Sequence, residues 1–265
     1  MSRAWLFVPA DRPERFDKAL ASGADRVIVD LEDAVAPAAR PAARAALAAW
    51  LASTPARVAL RLNAADTADF EADLPLLRHA AVHTVVLPKA EEVVVLARLH
   101  ALRPDAALVP LVESAAGLAA ARALAAMRGV ERLAFGHIDF QVDLGLRGAH
   151  EDELLPWRCE LVLASRLARI AAPLDGVTTD FDDPAVLQAD VLRAVRLGFG
   201  GKLCIHPRQV AAVRAGFAPT AEQVAWAQRV LQAAAAAGGG AVALDGRMVD
   251  KPVVLRAEAI LRDAG

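Results

Sequence analysis

Short apolar runs rich in valine, isoleucine and leucine recur along this chain, separated by stretches in which alanine, leucine and arginine repeat at helical spacing. The runs are WLFVP from Trp5, RVIVDLED from Arg26, RVALRLN from Arg57 and HTVVLPK from His83. They continue with ALVPLVES from Ala107, RLAFGHIDF from Arg132, LDGVTTDF from Leu174 and GKLCIHP from Gly201. Between them the spacing predicts helices such as 13–22, 38–51, 91–102 and 184–197, with Gly23 and Gly198 placed where helices stop. Strand alternating with helix implies a parallel sheet, and eight such units imply closure into a (β/α)8 TIM barrel, an α/β fold. A doubly wound open sheet is the alternative. The 265 residues fit one barrel, which usually takes about 250.

The expected division is a barrel over 1–237 and a short C-terminal helical extension over 238–265. Gly238, Gly239 and Gly240 would close an alanine-rich helix that begins near Thr220. The remaining AVALDGRMVDKPVVLRAEAILRDAG is too short to fold alone. It is expected to make a strand-like turn and a last helix, packing on its own barrel or on a neighbouring subunit.

Polarity collects at the ends of the apolar runs: Asp30, Glu32 and Asp33, then Arg61 and Asn63, Lys89, Glu113 and Ser114, Asp139, Asp180 and His206. In a barrel these ends converge on the C-terminal face, where active sites are built. Glu113 and Asp139 end strands five and six and suit a hard divalent cation. Mg²⁺ typically takes one or two carboxylates and keeps other positions for water and substrate oxygens. The plainer alternative makes Glu113 a helix-capping acid before Ser114, and Asp139 a loop cap. No His/Cys cluster points to zinc, so Mg²⁺ or Mn²⁺ is expected.

Asp30, Glu32 and Asp33 need a positive neighbour. They are expected to hold metal-bound waters or to orient Arg61, with a cap at Asp33 and solvation of Glu32 as the plainer alternative. Arg61 points into the barrel mouth on this pattern, where a guanidinium can grip a carboxylate or an enolate oxygen bidentately. Lys89 raises the alternative of a Schiff-base aldolase, or of a lysine that binds phosphate or an acid. His137, His206 and Arg208 are weaker candidates, histidines at such places being mostly hydrogen-bonded structural groups. Gly136, Gly145 and Gly148 permit close backbone approach, but neither GxGxxG nor GxxxxGK[ST] occurs.

Composition narrows the classes further. A net charge of −2 argues against a nucleic-acid footprint, and 56% hydrophobic residues supply a large core. The opening apolar run is too short for a signal peptide, and arginines interrupt the alanine-rich segments, so a cytoplasmic enzyme without membrane association is expected. Cys159 and Cys204 read as ordinary buried thiols of a reducing compartment.

Together the motifs resemble the citrate lyase β-subunit-like branch of the HpcH/HpaI aldolase–citrate lyase superfamily. The carriers are RAWLFVPADRPERFDKAL, VDLEDAVAP followed by Arg44, RLN, LPKAE, LVESAAGL, FGHIDFQVDLGL and GKLCIHPRQV, in the expected order over essentially the whole chain. The resemblance implies a Mg²⁺-dependent barrel, assembled as a homotrimer or hexamer, that makes or breaks the bond between an acyl-CoA α-carbon and an oxoacid carbonyl. It implies Glu113 and Asp139 as metal ligands, Arg61 at the substrate, and Asp30, Glu32 and Asp33 as an outer shell. It singles out Asp250, in GRMVDKP, for proton transfer, often in a neighbour's site. Lys89 and the Ile205–His206–Pro207 segment would lie toward the substrate and its CoA moiety. A pyruvate-type aldolase acting on free hydroxy-oxoacids, and a citrate lyase subunit that needs an acyl-carrier partner, are the rival readings.

Overall fold

The computed structural model describes residues 2–236 and 240–264, in two compact units, 2–214 and 215–264. In the first, eight parallel strands close into a barrel in chain order. They are β1 (Ala4–Pro9), β2 (Arg26–Asp30), β3 (Val58–Arg61), β4 (Val82–Leu87), β5 (Ala107–Val112), β6 (Ala134–Phe135), β7 (Leu174–Asp175) and β8 (Gly201–Cys204). β1 pairs with β8 as well as β2, Ala4 level with Lys202 and Leu6 level with Cys204. No edge is left, which rules out the open sheet.

Around the strands run α1 (Phe16–Leu20), α2 (Arg40–Ser53), α3 (Ala68–Asp73), α4 (Val93–Leu102), α5 (Ala115–Ala125) and α6 (His137–Asp143). They continue with α7 (Leu155–Ala168), α8 (Pro184–Leu197) and α9 (Pro207–Gly216), the last crossing the division between the units. α8 has the bounds its spacing predicts. The Asp183 carboxylate accepts from Ala185 N at its start, and Gly198 ends it at φ 95°, a left-handed value that favours glycine. The helix expected over 13–22 is a 3-10 turn at Pro13–Arg15 followed by the short α1.

Side chains alternate along each strand, so every second residue faces the barrel axis. Trp5, Ile28, Ala59, Val109, Leu174 and Leu203 belong to the buried cluster that fills the interior. Two residues further on, the same inward rows carry Phe7, Asp30, Arg61 and Ile205; four beyond Val109 lies Glu113. The core thus gives way to charge at one end of the barrel, and strand geometry alone puts it there.

The second unit contains α10 (Ala221–Ala236), a hairpin of β9 (Val242–Leu244) and β10 (Arg247–Val249), and α11 (Lys251–Ala264). Asp245 and Gly246 turn the hairpin with positive φ at both, as an Asp-Gly pair favours. Ala227, Val230, Val249 and Ala257 form its core. The turn and last helix expected of the tail are both present, and α10, placed with the barrel by the sequence reading, groups with them. Gly238 and Gly239, expected to close α10, lie outside the described residues. No helix among the described residues is long and apolar enough to cross a membrane.

Candidate active site

Asp30 and Arg61 end neighbouring strands and stand level in the β2–β3 register. That register explains their fork-to-fork pair: Arg61 donates from Nε to Asp30 Oδ1 at 2.6 Å and from Nη2 to Oδ2 at 2.7 Å. Backbone N–H groups of Glu32 and Ala34 donate to the same carboxylate, locking the loop after β2 around it. Arg61 Nη1 also donates to Asp33 at 3.3 Å and lies 3.1 Å from Glu32 Oε2. The second approach lacks hydrogen-bond geometry, and buried Glu32 Oε2 has no donor. The Arg61 guanidinium covers the Phe7 ring at 4.7 Å. Burial opposes its charge, but Asp30 and Glu32 more than offset that and hold its pKa above the ordinary arginine value.

Glu113 lies one residue beyond β5 and is 4% exposed. Lys89 N donates to its Oε1 at 2.7 Å, Lys89 itself adopting the uncommon φ of 45° that aims this N–H. Its other flank rests on Gly136, where an added Cβ would collide with the carboxylate. Burial, and then the Glu32 charge, push the Glu113 carboxyl up to about 8. Burial likewise raises Glu32 to about 7, against the pull of Arg61. Lys89 Nζ reaches Glu32 Oε1 at 3.3 Å, on a half-exposed side chain. Carboxyl groups therefore outnumber the two cations, Arg61 and Lys89, beside them.

Asp139 requires a correction of placement. The run RLAFGHIDF is strand only at Ala134–Phe135, and Asp139 sits in the first turn of α6 rather than at a strand end. Burial of His137 and Phe140, three residues apart, shows helical rather than alternating spacing there. Asp139 still faces Glu113 closely enough to raise its pKa. Both line a cavity of about 340 Å³ whose apolar wall includes Phe7, Leu111, Leu203 and Ile205. Glu113 is not the helix cap either: Ser114 Oγ caps α5, accepting from Gly117 N at 3.0 Å. Nor does the Asp33 side chain cap a helix; Arg61 holds it.

Asp30, Asp33, Arg61, Glu113, Asp139 and Ile205 line this one cavity. Glu32 touches it through Arg61, and Lys89 lines a separate depression with Asp66 and Glu91. His206 stacks on Phe181 at 5.1 Å, its Nδ1 accepting from Arg208 N, and Pro207 opens α9. Asp250 belongs to the second unit, where Oδ1 accepts from Val253 N at the start of α11. Among the described residues no group of three His, Cys, Asp or Glu side chains forms a metal cage. A pair of carboxylates with a buried orphan oxygen nearby suits a hard cation that keeps its waters.

The sequence reading left His137 among the weaker candidates and missed its support. His137 lines the cavity, and burial, with Arg158 and Lys202 close by, pushes its imidazole down to about 4 against the pull of Asp175. Behind it Arg158 Nε donates to Asp175 at 2.9 Å, and Lys202 Nζ donates to Gly176 O at 2.6 Å. Gly176 has no room for a side chain beside the imidazole. The available signal was Arg158 on the buried side of α7, in line with Leu161 and Ser165. One thiol needs correction: Cys204 is buried as expected and raised to about 12, whereas Cys159 is exposed on α7.

Comparison with known proteins bears on this geometry. The family model described as HpcH/HpaI aldolase/citrate lyase matches residues 3–207. A citrate lyase subunit beta-like protein of Mycobacterium tuberculosis (strain H37Rv) is 43% identical over 268 residues, covering 98% of this chain and 95% of that one. An L-malyl-CoA/beta-methylmalyl-CoA lyase of Cereibacter sphaeroides is 32% identical over 99% of this chain and 94% of its own length. The crystal structure of protein CitE from Mycobacterium tuberculosis with magnesium, acetoacetate and coenzyme A superposes with a TM-score of 0.87. It is 41% identical, over 100% of this chain and 98% of that one.

Proposed function

The chain belongs to the HpcH/HpaI aldolase/citrate lyase family, and from that premise we propose that it is a Mg²⁺-dependent carbon–carbon lyase. Its substrate would be a 3-hydroxyacyl-CoA thioester of the citryl, malyl or citramalyl kind, cleaved to an acyl-CoA and an oxoacid or formed by the reverse condensation. The observation that carries this reading is the Glu113 carboxylate, buried at the mouth of the barrel with Asp139 and Arg61 around one cavity. The magnesium, acetoacetate and coenzyme A held by the similar CitE structure supply the ligand classes.

Glu113 and Asp139 would hold Mg²⁺, with Mn²⁺ as a substitute, and Glu32, whose buried Oε2 has no hydrogen-bond donor, would belong to the outer shell. Bound there, the cation supplies Lewis acidity toward the hydroxyacid oxygens. Asp250, from this chain or a neighbour, would take the hydroxyl proton. As that O–H pair becomes the oxoacid carbonyl, the carbon–carbon pair passes to the acyl-CoA α-carbon, which is then protonated. Arg61 would stabilise the thioester enolate. Asp30 and Asp33 accept from its Nε, Nη1 and Nη2, and the Glu32 carboxylate lies beside it, which fixes the guanidinium before substrate arrives. Phe7, Leu111 and Leu203 keep water from its cavity side. Ile205, His206 and Pro207, with Lys89, are proposed to contact the CoA side of the substrate. The family resemblance supports a homotrimer or hexamer.

A panel of hydroxyacyl-CoA esters assayed with Mg²⁺ tests the proposal. Turnover of one ester by the chain alone is expected, abolished in Glu113→Ala with the fold intact by circular dichroism. Activity only on free hydroxy-oxoacids would transfer the assignment to an aldolase. Activity only with an acyl-carrier partner would make it a subunit, as in the citrate lyase subunit beta of Leuconostoc mesenteroides, 31% identical to this chain. Full activity in Glu113→Ala would overturn the metal site.

A further inference from the structure

The ladder between β7 and β8 stops early. Its last pair sets Asp175 level with Lys202, and β7 ends there. The residues that follow still reach the cavity. Val177 and Ile205 both line it, and with Leu203 and Phe7 they form an apolar arc across β7, β8 and β1. Arg61 on β3 and Glu113 just beyond β5 stand across the barrel from that arc. Buried backbone groups need partners where a ladder has ended. Two buried side chains supply them here, Lys202 at 1% exposure and Gln209 at 2%. Lys202 Nζ donates to Gly176 O at 2.6 Å, and Gln209 Nε2 donates to Thr178 O at 2.8 Å.

Gln209 holds the other loop as well. Its Oε1 accepts from Ile205 N at 2.9 Å and from His206 N at 3.2 Å, in the manner of a capping box at the start of α9. Capping does not by itself explain the amide, because capping boxes use glutamate and glutamine alike. Only the amide also donates, and its bond goes to the loop after β7 rather than to α9. A carboxylate in its place would set an oxygen against the Thr178 carbonyl oxygen. Thr178 is held from another side too, its Oγ1 donating to Asp190 Oδ2. One side chain thus joins the two segments that carry Val177 and Ile205 into the cavity.

We propose that Gln209 is a positioning residue that sets the gap between Val177 and Ile205 and thereby selects the substituent on the oxoacid carbon. The inference rests on the lyase reading above. An oxoacid whose carboxylate and carbonyl oxygens face Glu113, Asp139 and Arg61 turns its remaining substituent toward the apolar arc. Hydrogen and methyl differ there by one carbon, worth about 10- to 200-fold in an apolar pocket that fits closely. That discrimination lasts only while the wall keeps its place. Beyond the end of the ladder, Gln209 is the side chain that ties the two halves of the wall together.

Gln209→Glu tests this, since it keeps the acceptor for α9 and removes the donor to Thr178. Two ratios are read in the wild type and the variant of the full chain. One is kcat/KM for malyl-CoA against citramalyl-CoA, and the other is the calorimetric Kd for glyoxylate against pyruvate with Mg²⁺ present. Both pairs differ by the same methyl group. In the variant each ratio is expected to move toward one by about tenfold, KM rising more than kcat falls. Mg²⁺ affinity without oxoacid is expected to stay as in the wild type. A merely structural loss lowers the active fraction and scales both ligands alike, so it leaves the ratios in place. A wild type that cleaves neither ester removes the lyase reading, and the oxoacid ratio then decides for Gln209 alone. Wild-type ratios of one, ratios unchanged in the variant, or a wild type that binds neither oxoacid overturn the proposal. A Gln209→Glu chain that fails to fold is replaced by Gln209→Met, which brings no charge into the buried site and also lacks the donor, with the same outcomes expected.

Discussion

Two buried carboxyls, Glu113 at about 8 and Glu32 at about 7, hold their protons more tightly in the folded protein than an ordinary glutamate at 4.5 does. For groups raised this way the stabilisation is full below pH ~4.5 and is lost as pH rises through 7 to 8. The urea midpoint of the metal-free protein is therefore expected to fall as pH rises from about 6 to about 8 and to level off above that. Saturating Mg²⁺ should flatten that fall, because the cation favours the ionised carboxylates. A midpoint that rises over this range without metal would contradict the burial of these groups. Gly136 makes a second test at the same scale. Gly136→Ala places a methyl group against the Glu113 carboxylate, and a displacement near 1 Å is worth about a hundredfold in rate. The kcat/KM of the variant should drop by about that factor, with Mg²⁺ affinity weakened alongside.

Helix starts near the site do two jobs. Ser114 Oγ accepts from Gly117 N at the head of α5 and donates to Glu91 Oε1 at 2.6 Å. It sits one residue beyond Glu113, so the cap that begins the helix also steadies the loop carrying the carboxylate. Ser114→Ala is expected to cost about 1 kcal/mol in urea unfolding, the usual loss for a removed N-cap. An unchanged midpoint would show that the cap is not worth its usual value here. α8, by contrast, was legible from sequence at both ends, through its helical spacing from Pro184 and the stop at Gly198. β6 and β7 were not. Their runs, as read from the sequence, continue past the strand, and only pairing with neighbours ended them after two residues each. Asp139 moved from strand end to helix for that reason, and Cys159 came out exposed because α7 is apolar on both sides.

At the scale of the whole molecule, the proton-transfer role proposed for Asp250 makes a prediction about assembled chains. If it acts in a neighbour's cavity, Asp250→Asn and Glu113→Ala chains, each inactive alone, should regain activity when co-assembled. Random mixing in equal amounts restores about one site in four in a closed ring where each tail serves the next copy. No recovery, with mixed assemblies confirmed by mass, would place Asp250 in its own chain's site or in none. Asp250→Asn should lower kcat while leaving Mg²⁺ affinity unchanged, which separates proton transfer from metal binding.

The sequence alone determined the barrel, since the alternation of apolar runs with helical spacing admits few ways to bury every face. It also determined that Asp30, Arg61 and Glu113 share the barrel mouth, because side chains alternate strictly along a strand and these extend inward rows. Only the tertiary structure decided what those groups do to one another. The β2–β3 register locked Arg61 to Asp30, the φ of Lys89 and the bare Gly136 enclosed Glu113, and burial raised its pKa. The His137 surroundings, drawn from α7, β7 and β8, were likewise invisible in the chain. Contacts of this kind join residues far apart in sequence, and no local pattern records which neighbours a fold will supply.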